Sequence, residues 1–317
     1  LRVEAGVQYT LTHNLDSGHC FLPREKLLSA AARLLHIDSA DLLAEGLDAL
    51  RLQGKVVTTF VGATPAVYLS DLFENEAYIV HRILELCQRE TLVPENLDTL
   101  IDRVEREQGI SYAPEQREAV RMAAGHQIML LTGGPGTGKT TSLRGILGLF
   151  ETLGLKTLLA APTGRAAKRM SEVTGEEAKT IHRLLQEDWD EKDNPVFTRN
   201  ERNPLECDCL VVDELSMVDA YVFESLLRAL PFSCRLVLVG DNDQLPSVGA
   251  GNVLGDLIAS GLFPTVQLKE IFRQSQESLI VMSAHRIVEG KLPDLRRHDS
   301  DFFFLPQEDP QKAAQLI

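Results

Sequence analysis

The hydrophobic pattern near the start of the chain predicts two helices followed by a hairpin. Apolar residues recur at helical spacing after Pro23, and a second helical pattern begins near Asp38 and ends before Gly54. Two short runs rich in β-branched residues, Val56–Val61 and Ala66–Leu69, enclose a Gly-Ala-Thr-Pro turn. Two further amphipathic helical patterns continue to about residue 108. We therefore expect a small, mostly helical first domain over residues 1–110.

The pattern changes after residue 111 to short, continuous apolar runs. Helical stretches separate four such runs, each followed by a loop rich in Gly, Pro, Asp or Thr: Ile128–Leu131, Thr157–Ala161, Leu210–Val212 and Leu236–Val239. Continuous apolar strands joined by helices are typical of a parallel sheet that is covered on both faces. The polar segment 186–207 interrupts this order and predicts a small inserted hairpin or loop. The expected fold class is therefore α/β, preceded by the helical domain.

Composition and charge narrow the possible functions. The 317 residues suffice for about two domains, and no apolar run approaches the roughly 18 residues that cross a bilayer. We therefore expect a cytoplasmic protein without a membrane partner, whose five scattered cysteines are free thiols. The net charge of −14 argues against a protein that coats nucleic acid non-specifically.

The excess of acidic residues in the first domain leaves open whether this domain binds DNA. Its helix, helix, hairpin order is typical of a winged-helix-like unit, and such units often bind DNA. However, residues 1–110 contain 17 acidic and 10 basic residues. Packing against the rest of the chain, or docking of protein partners, is at least as compatible with that balance as DNA binding.

A glycine-rich segment after the run Ile128–Leu131 predicts a nucleotide site. It fits the phosphate-loop pattern G-x-x-x-x-G-K-[ST], in which backbone N–H groups surround a polyphosphate. Lys139 supplies a positive charge for the β- and γ-phosphates, and the Thr140 hydroxyl is a ligand for Mg²⁺. We expect the nucleotide to contact Gly133, Gly134, Pro135, Gly136, Thr137, Gly138, Lys139, Thr140 and Thr141.

An acidic pair follows the apolar run Leu210–Val212. Asp213, at the end of this strand, is placed to hold Mg²⁺ through water, and Glu214 is placed to polarise the water that attacks the γ-phosphate. Adjacent acids are usually a solvated turn, but these two follow a buried strand in a chain that carries a phosphate loop. The sequence therefore predicts hydrolysis of a nucleoside triphosphate.

Six segments in order resemble the motifs of superfamily 1 helicases, above all those of the RecD-like DNA helicases. The resemblance covers residues 111–290, and its segments are GGPGTGKT (133–140), APTGRAAKRM (161–170), TIHRLL (180–185), VVDELSM (211–217), VGDNDQLPSVGAG (239–251) and LKEIFRQ (268–274). It implies a RecA-like motor domain and an ATP-dependent DNA helicase that moves 5′→3′ on single strands, in DNA repair or recombination.

The resemblance also implies roles for three residues around the nucleotide. Gln116 occupies the place of the glutamine that reads adenine, which would explain a preference for ATP. Gln244 occupies the place of the glutamine that senses the γ-phosphate and couples it to DNA. Arg273 matches the arginine that a second motor domain presents to the γ-phosphate. Surface roles are the alternatives for Gln116 and Arg273.

The expected DNA partners are single strands and duplex junctions. By the same resemblance, the contacts are made by Thr163, Gly164, Arg165, Thr180 and His182. Hydroxyl groups, backbone N–H groups and an arginine suit phosphate contacts that hold a strand without reading its sequence. Lys168, Arg169 and Arg183 either extend these contacts as a basic track or are solvated helix charges. The inserted segment falls where RecD-like enzymes carry a hairpin that splits the duplex, with Trp189 or Phe197 expected at its tip.

The family's later motifs are missing from this chain. We therefore expect the first RecA-like domain over residues 111–262 and only the beginning of a second over 263–317, in a piece of a longer protein. Such a fragment is expected to be inactive on its own if it lacks the second half. Two alternatives remain: the helicase domain of a conjugative relaxase, and an ATP- and DNA-binding module without turnover.

Overall fold

The computed structural model describes residues 1–189, 195–296, 301–302, 304–309, 311–312 and 314. The first 69 residues have a core of their own, to which three helices and two strands contribute. The elements are α1 (Arg2–Leu15), β1 (Phe21–Pro23), α2 (Arg24–Leu35), α3 (Ala40–Leu52), β2 (Val56–Val61) and β3 (Thr64–Leu69). The strands form an antiparallel sheet in the order β1-β3-β2. This is the predicted winged-helix-like order, preceded by a helix, α1, that the pattern did not predict.

Two helices that the sequence assigned to the first domain pack on the second unit instead. Helix α4 (Ser70–Cys87) buries Ile83 and Leu86 in the core on one face of the large sheet. Helix α5 (Leu97–Gln108) buries Ile101 and Val104 in the core on the opposite face. We therefore propose a domain boundary near Ser70 instead of residue 110.

The second unit is a parallel sheet with helices on both faces, which confirms the predicted α/β fold of RecA-like type. Its six strands lie in the order β11-β4-β10-β9-β5-β6, and each pairing is parallel. The elements are α6 (Pro114–Gly125), β4 (Ile128–Gly133), α7 (Lys139–Thr152), β5 (Thr157–Ala161), α8 (Gly164–Thr174), β6 (Ala178–Thr180), α9 (Ile181–Leu185), β7 (Glu187–Trp189), β8 (Pro195–Phe197), β9 (Cys209–Val212), a 3₁₀ turn (Leu215–Met217), α10 (Ala220–Ala229), β10 (Arg235–Gly240), α11 (Val253–Ser260), β11 (Thr265–Leu268), α12 (Arg273–Gln276) and α13 (Leu279–Val288).

The sheet separates two buried cores. Helices α5, α6, α7 and α8 cover one face, and α4, α9, α10 and α11 cover the other. Strand β11 pairs with β4 at the edge of the sheet, so the sheet continues beyond residue 262, where the sequence predicted the first motor domain to end. We propose that this boundary lies after Leu268. None of the helices described combines the length and the apolar character needed to span a membrane.

The inserted segment forms a short antiparallel pair, β7 and β8. Residues 190–194, between the two strands, and the side chain of Trp189 lie outside the described part of the chain. Phe197 does not lie at the tip of this hairpin. Its ring contacts His182 and Tyr221, with ring centroids 5.7 and 6.0 Å apart, and it packs against the core. The prediction that Phe197 lies at the tip of the hairpin is therefore wrong, because this side chain is held at the foot of the hairpin.

Candidate active site

The predicted nucleotide residues meet in one cleft at the carboxyl edge of the sheet. Strands β4, β10 and β9 are neighbours and parallel, so the loops that follow them leave the sheet side by side. The cleft has a volume of about 760 Å³, and Asp213, Glu214 and Gln244 line it together with residues 134–141 of the phosphate loop. Gly133, the last residue of β4, precedes this loop. The sheet order thus brings together three segments that lie apart in the sequence, at residues 134–141, 213–214 and 244.

The phosphate loop depends on two glycines with left-handed backbone. Gly136 has φ 73° and Gly138 has φ 87°, a region that other residues enter only with strain. A Cβ atom on Gly138 would also collide with the Gln116 side chain. The Thr137 hydroxyl donates to the Gly134 carbonyl at 2.9 Å, which fixes the curl of the loop before α7 begins at Lys139.

Lys139 is held back against its own loop. Its Nζ donates to the carbonyls of Gly133 and Gly134, the latter at 3.1 Å, and lies 3.6 Å from the Asp241 carboxylate. Asp241 is only 2% exposed, so the lysine compensates a buried charge. The sequence analysis missed Asp241, although an acidic residue directly after the buried strand β10 was the available signal.

The acidic pair lies at the end of β9. Burial raises the pKa of Asp213 to about 6, and its Oδ1 accepts a hydrogen bond from the Glu214 N–H at 2.8 Å. Glu214 has a left-handed backbone with φ 54° and ψ 42°, which costs a non-glycine residue about 1–2 kcal/mol. A strained, half-buried pair of acids beside the phosphate loop is suited to holding a cation and activating water.

The raised pKa of Asp213 predicts how stability depends on pH. Between about pH 4 and pH 6 the folded chain binds more protons at this carboxyl than the unfolded chain, so the free energy of unfolding falls as the pH rises. Without nucleotide, we expect Asp213→Asn to stabilise the fold by about 1–3 kcal/mol at pH 7 and not below pH 4. Denaturant unfolding across this pH range measures the difference. The exposed Asp243→Asn is the control, and a stability gain for Asp213→Asn that does not vary with pH contradicts the expectation.

Gln116 connects helix α6 with the phosphate loop. Its Oε1 accepts from the Ala113 N–H at 3.0 Å, and its Nε2 donates to the Gly138 carbonyl at 3.5 Å. The residue is only 3% exposed and its side chain borders the cleft. Contact with adenine remains a prediction, for which these hydrogen bonds would have to rearrange.

The segment that follows β11 lies on the phosphate loop. The Phe272 N–H donates to the Gly136 carbonyl at 3.3 Å, and His285 Nε2 lies 2.9 Å from the Pro135 carbonyl oxygen. The sequence analysis missed His285, since no local signal links it to a loop 150 residues earlier. Arg273 begins α12 in this segment, and its side chain lies outside the description, so its proximity to the γ-phosphate remains a prediction.

The residues predicted to bind DNA lie at the same edge of the sheet, after strands β5 and β6. Gly164 and Arg165 are exposed at the start of α8. The hydroxyl oxygens of Thr163 and Thr180 cap α8 and α9, each accepting a backbone N–H at 3.2 Å. His182 is partly exposed and its ring contacts Phe197. The parallel pairing of β5 with β6 therefore brings the two groups of predicted DNA-binding residues together. Their contact with DNA remains a prediction.

Comparison with known proteins adds a family and several relatives. The AAA domain family matches residues 116–250. The ATP-dependent RecD2 DNA helicase of Deinococcus radiodurans is 34% identical over 301 residues, which cover 92% of this chain and 41% of that protein. The RecBCD enzyme subunit RecD of Mycolicibacterium smegmatis is 42% identical over 167 residues, covering 45% of this chain and 30% of that subunit.

The crystal structure of Pif1 helicase from Candida albicans has a TM-score of 0.43 and 25% identity, covering 58% of this chain and 46% of that chain. The chain spans less than half the length of each of these proteins.

Proposed function

Because this chain belongs to the RecD-like group of superfamily 1 helicase sequences, we propose that it is the ATP-binding part of an ATP-dependent DNA helicase. One observation carries the proposal: the phosphate loop, the acids Asp213 and Glu214, and Gln244 border a single cleft. The resemblance extends the proposal to 5′→3′ movement on single-stranded DNA, in repair or recombination.

We propose ATP with Mg²⁺ as the species that occupies the cleft. The Thr140 hydroxyl and the Asp213 carboxylate both border it, and oxygen ligands of this kind are those that Mg²⁺ prefers. Within the described residues no group of three or more His, Cys, Asp or Glu side chains is placed to hold a metal ion. The Thr140 hydroxyl and the Asp213 carboxylate would be the protein groups that hold the ion. When bound, Mg²⁺ neutralises charge on the phosphates.

We assign each side chain around the cleft a separate role in hydrolysis. Lys139 exchanges its bonds to the Gly133 and Gly134 carbonyls for bonds to the phosphates, while Asp241 keeps its ammonium group oriented. Glu214 accepts a proton from the attacking water as general base. Gln244 borders the cleft from the loop after β10 and is proposed to sense the γ-phosphate. Arg273 is proposed to supply positive charge to the γ-phosphate as the site closes.

The DNA contacts are proposed to lie beside the cleft, where α8 and α9 begin, and to be made by Thr163, Gly164, Arg165, Thr180 and His182. These helix starts follow β5 and β6, and β5 pairs directly with β9, the strand that ends at the acidic pair. A change at the γ-phosphate therefore has a path along adjacent strand ends to the DNA contacts. The remaining step, movement along DNA, requires a second gripping half whose distance from this one changes with the nucleotide state.

The experiment that tests the function separates binding from turnover. Residues 1–317 are expected to bind MgATP, and the complete protein is expected to hydrolyse ATP faster when single-stranded DNA is added. Calorimetry measures the first and phosphate release the second, and unwinding of duplexes with a 5′ or a 3′ tail tests polarity. Nucleotide binding without DNA-stimulated turnover in the complete protein instead supports the alternative of an ATP- and DNA-binding module without turnover. Absence of nucleotide binding overturns both.

A further inference from the structure

Helix α8 presents an arginine to the nucleotide cleft. Among the cleft-lining side chains that the structure describes, Lys139 and Arg169 are the two that carry a positive charge. Asp213 and Glu214 line the same cleft, and Asp241 pairs with Lys139. The acids near the phosphate site therefore outnumber these cations before a negatively charged nucleotide enters.

The rotation of α8 decides which of its charges faces the cleft. Ala167 and Met170 are buried against the sheet and fix the orientation of the helix. Lys168 and Arg169 are both exposed, but Arg169 borders the cleft, whereas Lys168 lies 3.9 Å from Glu172 outside the cleft lining. The sequence left two interpretations for Arg169, part of a basic track for DNA or a solvated helix charge, and its position on the cleft wall indicates a third.

Arg169 is available for a ligand. In the described part of the chain no carboxylate lies within 4.0 Å of it, whereas Lys139 already faces Asp241 at 3.6 Å. A guanidinium presents a planar fork of N–H donors that matches phosphate oxygens, and it stays charged at any physiological pH.

We propose that Arg169 binds the γ-phosphate of the bound nucleoside triphosphate, from the same domain that carries the phosphate loop. The inference rests on the proposed ATP site and adds to it a residue that distinguishes ATP from ADP. The γ-phosphate is its partner because Arg169 lines the cleft from α8, the helix after β5, and β5 pairs with β9, the strand that ends at Asp213 and Glu214. These are the acids assigned to the metal and to the attacking water. The site then has, besides Lys139, a second positive charge at its phosphate end that does not depend on Arg273.

The test compares Arg169→Ala with Arg144→Ala, an exposed arginine on α7 that is not among the residues bordering the cleft. Calorimetry on residues 1–317 measures the affinity for a non-hydrolysable ATP analogue and for ADP, each with Mg²⁺. We expect Arg169→Ala to weaken binding of the ATP analogue at least about tenfold, since a hydrogen bond to a charged group contributes roughly 1.5–3 kcal/mol. Its affinity for ADP and both affinities of Arg144→Ala are expected to stay at the level of the parent chain.

The outcomes separate this inference from the proposed function. Equal losses for the ATP analogue and ADP, or unchanged binding of both, overturn the role of Arg169 while leaving the ATP site in place. If Arg169→Ala weakens binding of single-stranded DNA and leaves nucleotide binding unchanged, Arg169 belongs to a basic track for DNA. That result also overturns the inference. No nucleotide binding by the parent chain overturns the proposed function itself. Arg169→Lys, which keeps the charge without the fork, is expected to fall between parent and alanine variant, and it serves as the measured variant if Arg169→Ala does not fold.

Discussion

Replacing Lys139 by alanine is expected to abolish ATP turnover by the complete protein and to weaken MgATP binding by residues 1–317. The variant removes the ammonium group that the phosphate loop holds beside Asp241. Loss of a charged hydrogen bond to phosphate corresponds to roughly 10–100-fold weaker binding. Calorimetry measures the affinity, and phosphate release measures turnover. Lys26→Ala, an exposed lysine on α2, is the control and is expected to bind as the parent does.

A second effect of Lys139→Ala has to be separated from the first. The variant leaves the buried Asp241 carboxylate without its cation, so a lower melting temperature is expected. The double variant Lys139→Ala with Asp241→Asn removes that charge and is expected to recover thermal stability without recovering nucleotide binding. If restoring stability also restores binding, Lys139 acts on the fold and not on the phosphates. Unchanged turnover in the single variant removes the phosphate-loop assignment altogether.

Glu214→Gln is expected to bind MgATP as the parent does and to hydrolyse it about 10²–10⁴-fold more slowly, the usual contribution of a general base. Glutamine keeps the size and hydrogen-bonding capacity of the side chain but cannot accept the proton of the attacking water. Calorimetry and single-turnover phosphate release, made on the same preparation, separate the two steps. This pattern differs from that of Lys139→Ala, in which binding itself is weakened.

The matched control for Glu214→Gln is Glu172→Gln, an exposed residue on α8 outside the cleft lining. Turnover by this control is expected to equal that of the parent. Normal hydrolysis by Glu214→Gln assigns the proton transfer to another group. Weaker MgATP binding by Glu214→Gln instead assigns Glu214 to the nucleotide or its metal ion.

Continuous burial made the central strands predictable from the sequence. Strands β4, β9 and β10 are buried along nearly their whole length, and β5 is buried in its second half, so each shows a run of apolar residues. The edge strands β6 and β11 lack this signal. In β11 buried and exposed residues alternate, and β6 has no fully buried residue. The pattern therefore predicted the fold class and four of the strands that form the sheet, but not its edges.

The remaining differences between the predictions and the structure arise from tertiary contacts. The pattern predicted α4 and α5 as helices, yet an apolar face does not reveal which core it joins, and both joined the second unit. Lys168 and Arg169 are adjacent in sequence and both exposed, and only the rotation of α8 on the sheet places Arg169 at the cleft. His285 reaches the phosphate loop through tertiary packing, which local sequence does not encode. Asp241 had a local signal, its place directly after β10, but its pairing with Lys139 depends on the order of the strands in the sheet.

The pairing of β11 with β4 has a mechanical consequence. Leu268 is in register with Gly133, so the chain leaves the sheet beside the first glycine of the phosphate loop. Only residues 269–272 separate that point from α12, whose neighbour Phe272 is hydrogen-bonded to the loop. His285 of α13 also contacts this loop, so a shift of the phosphate loop would be transmitted directly to the chain that follows the sheet.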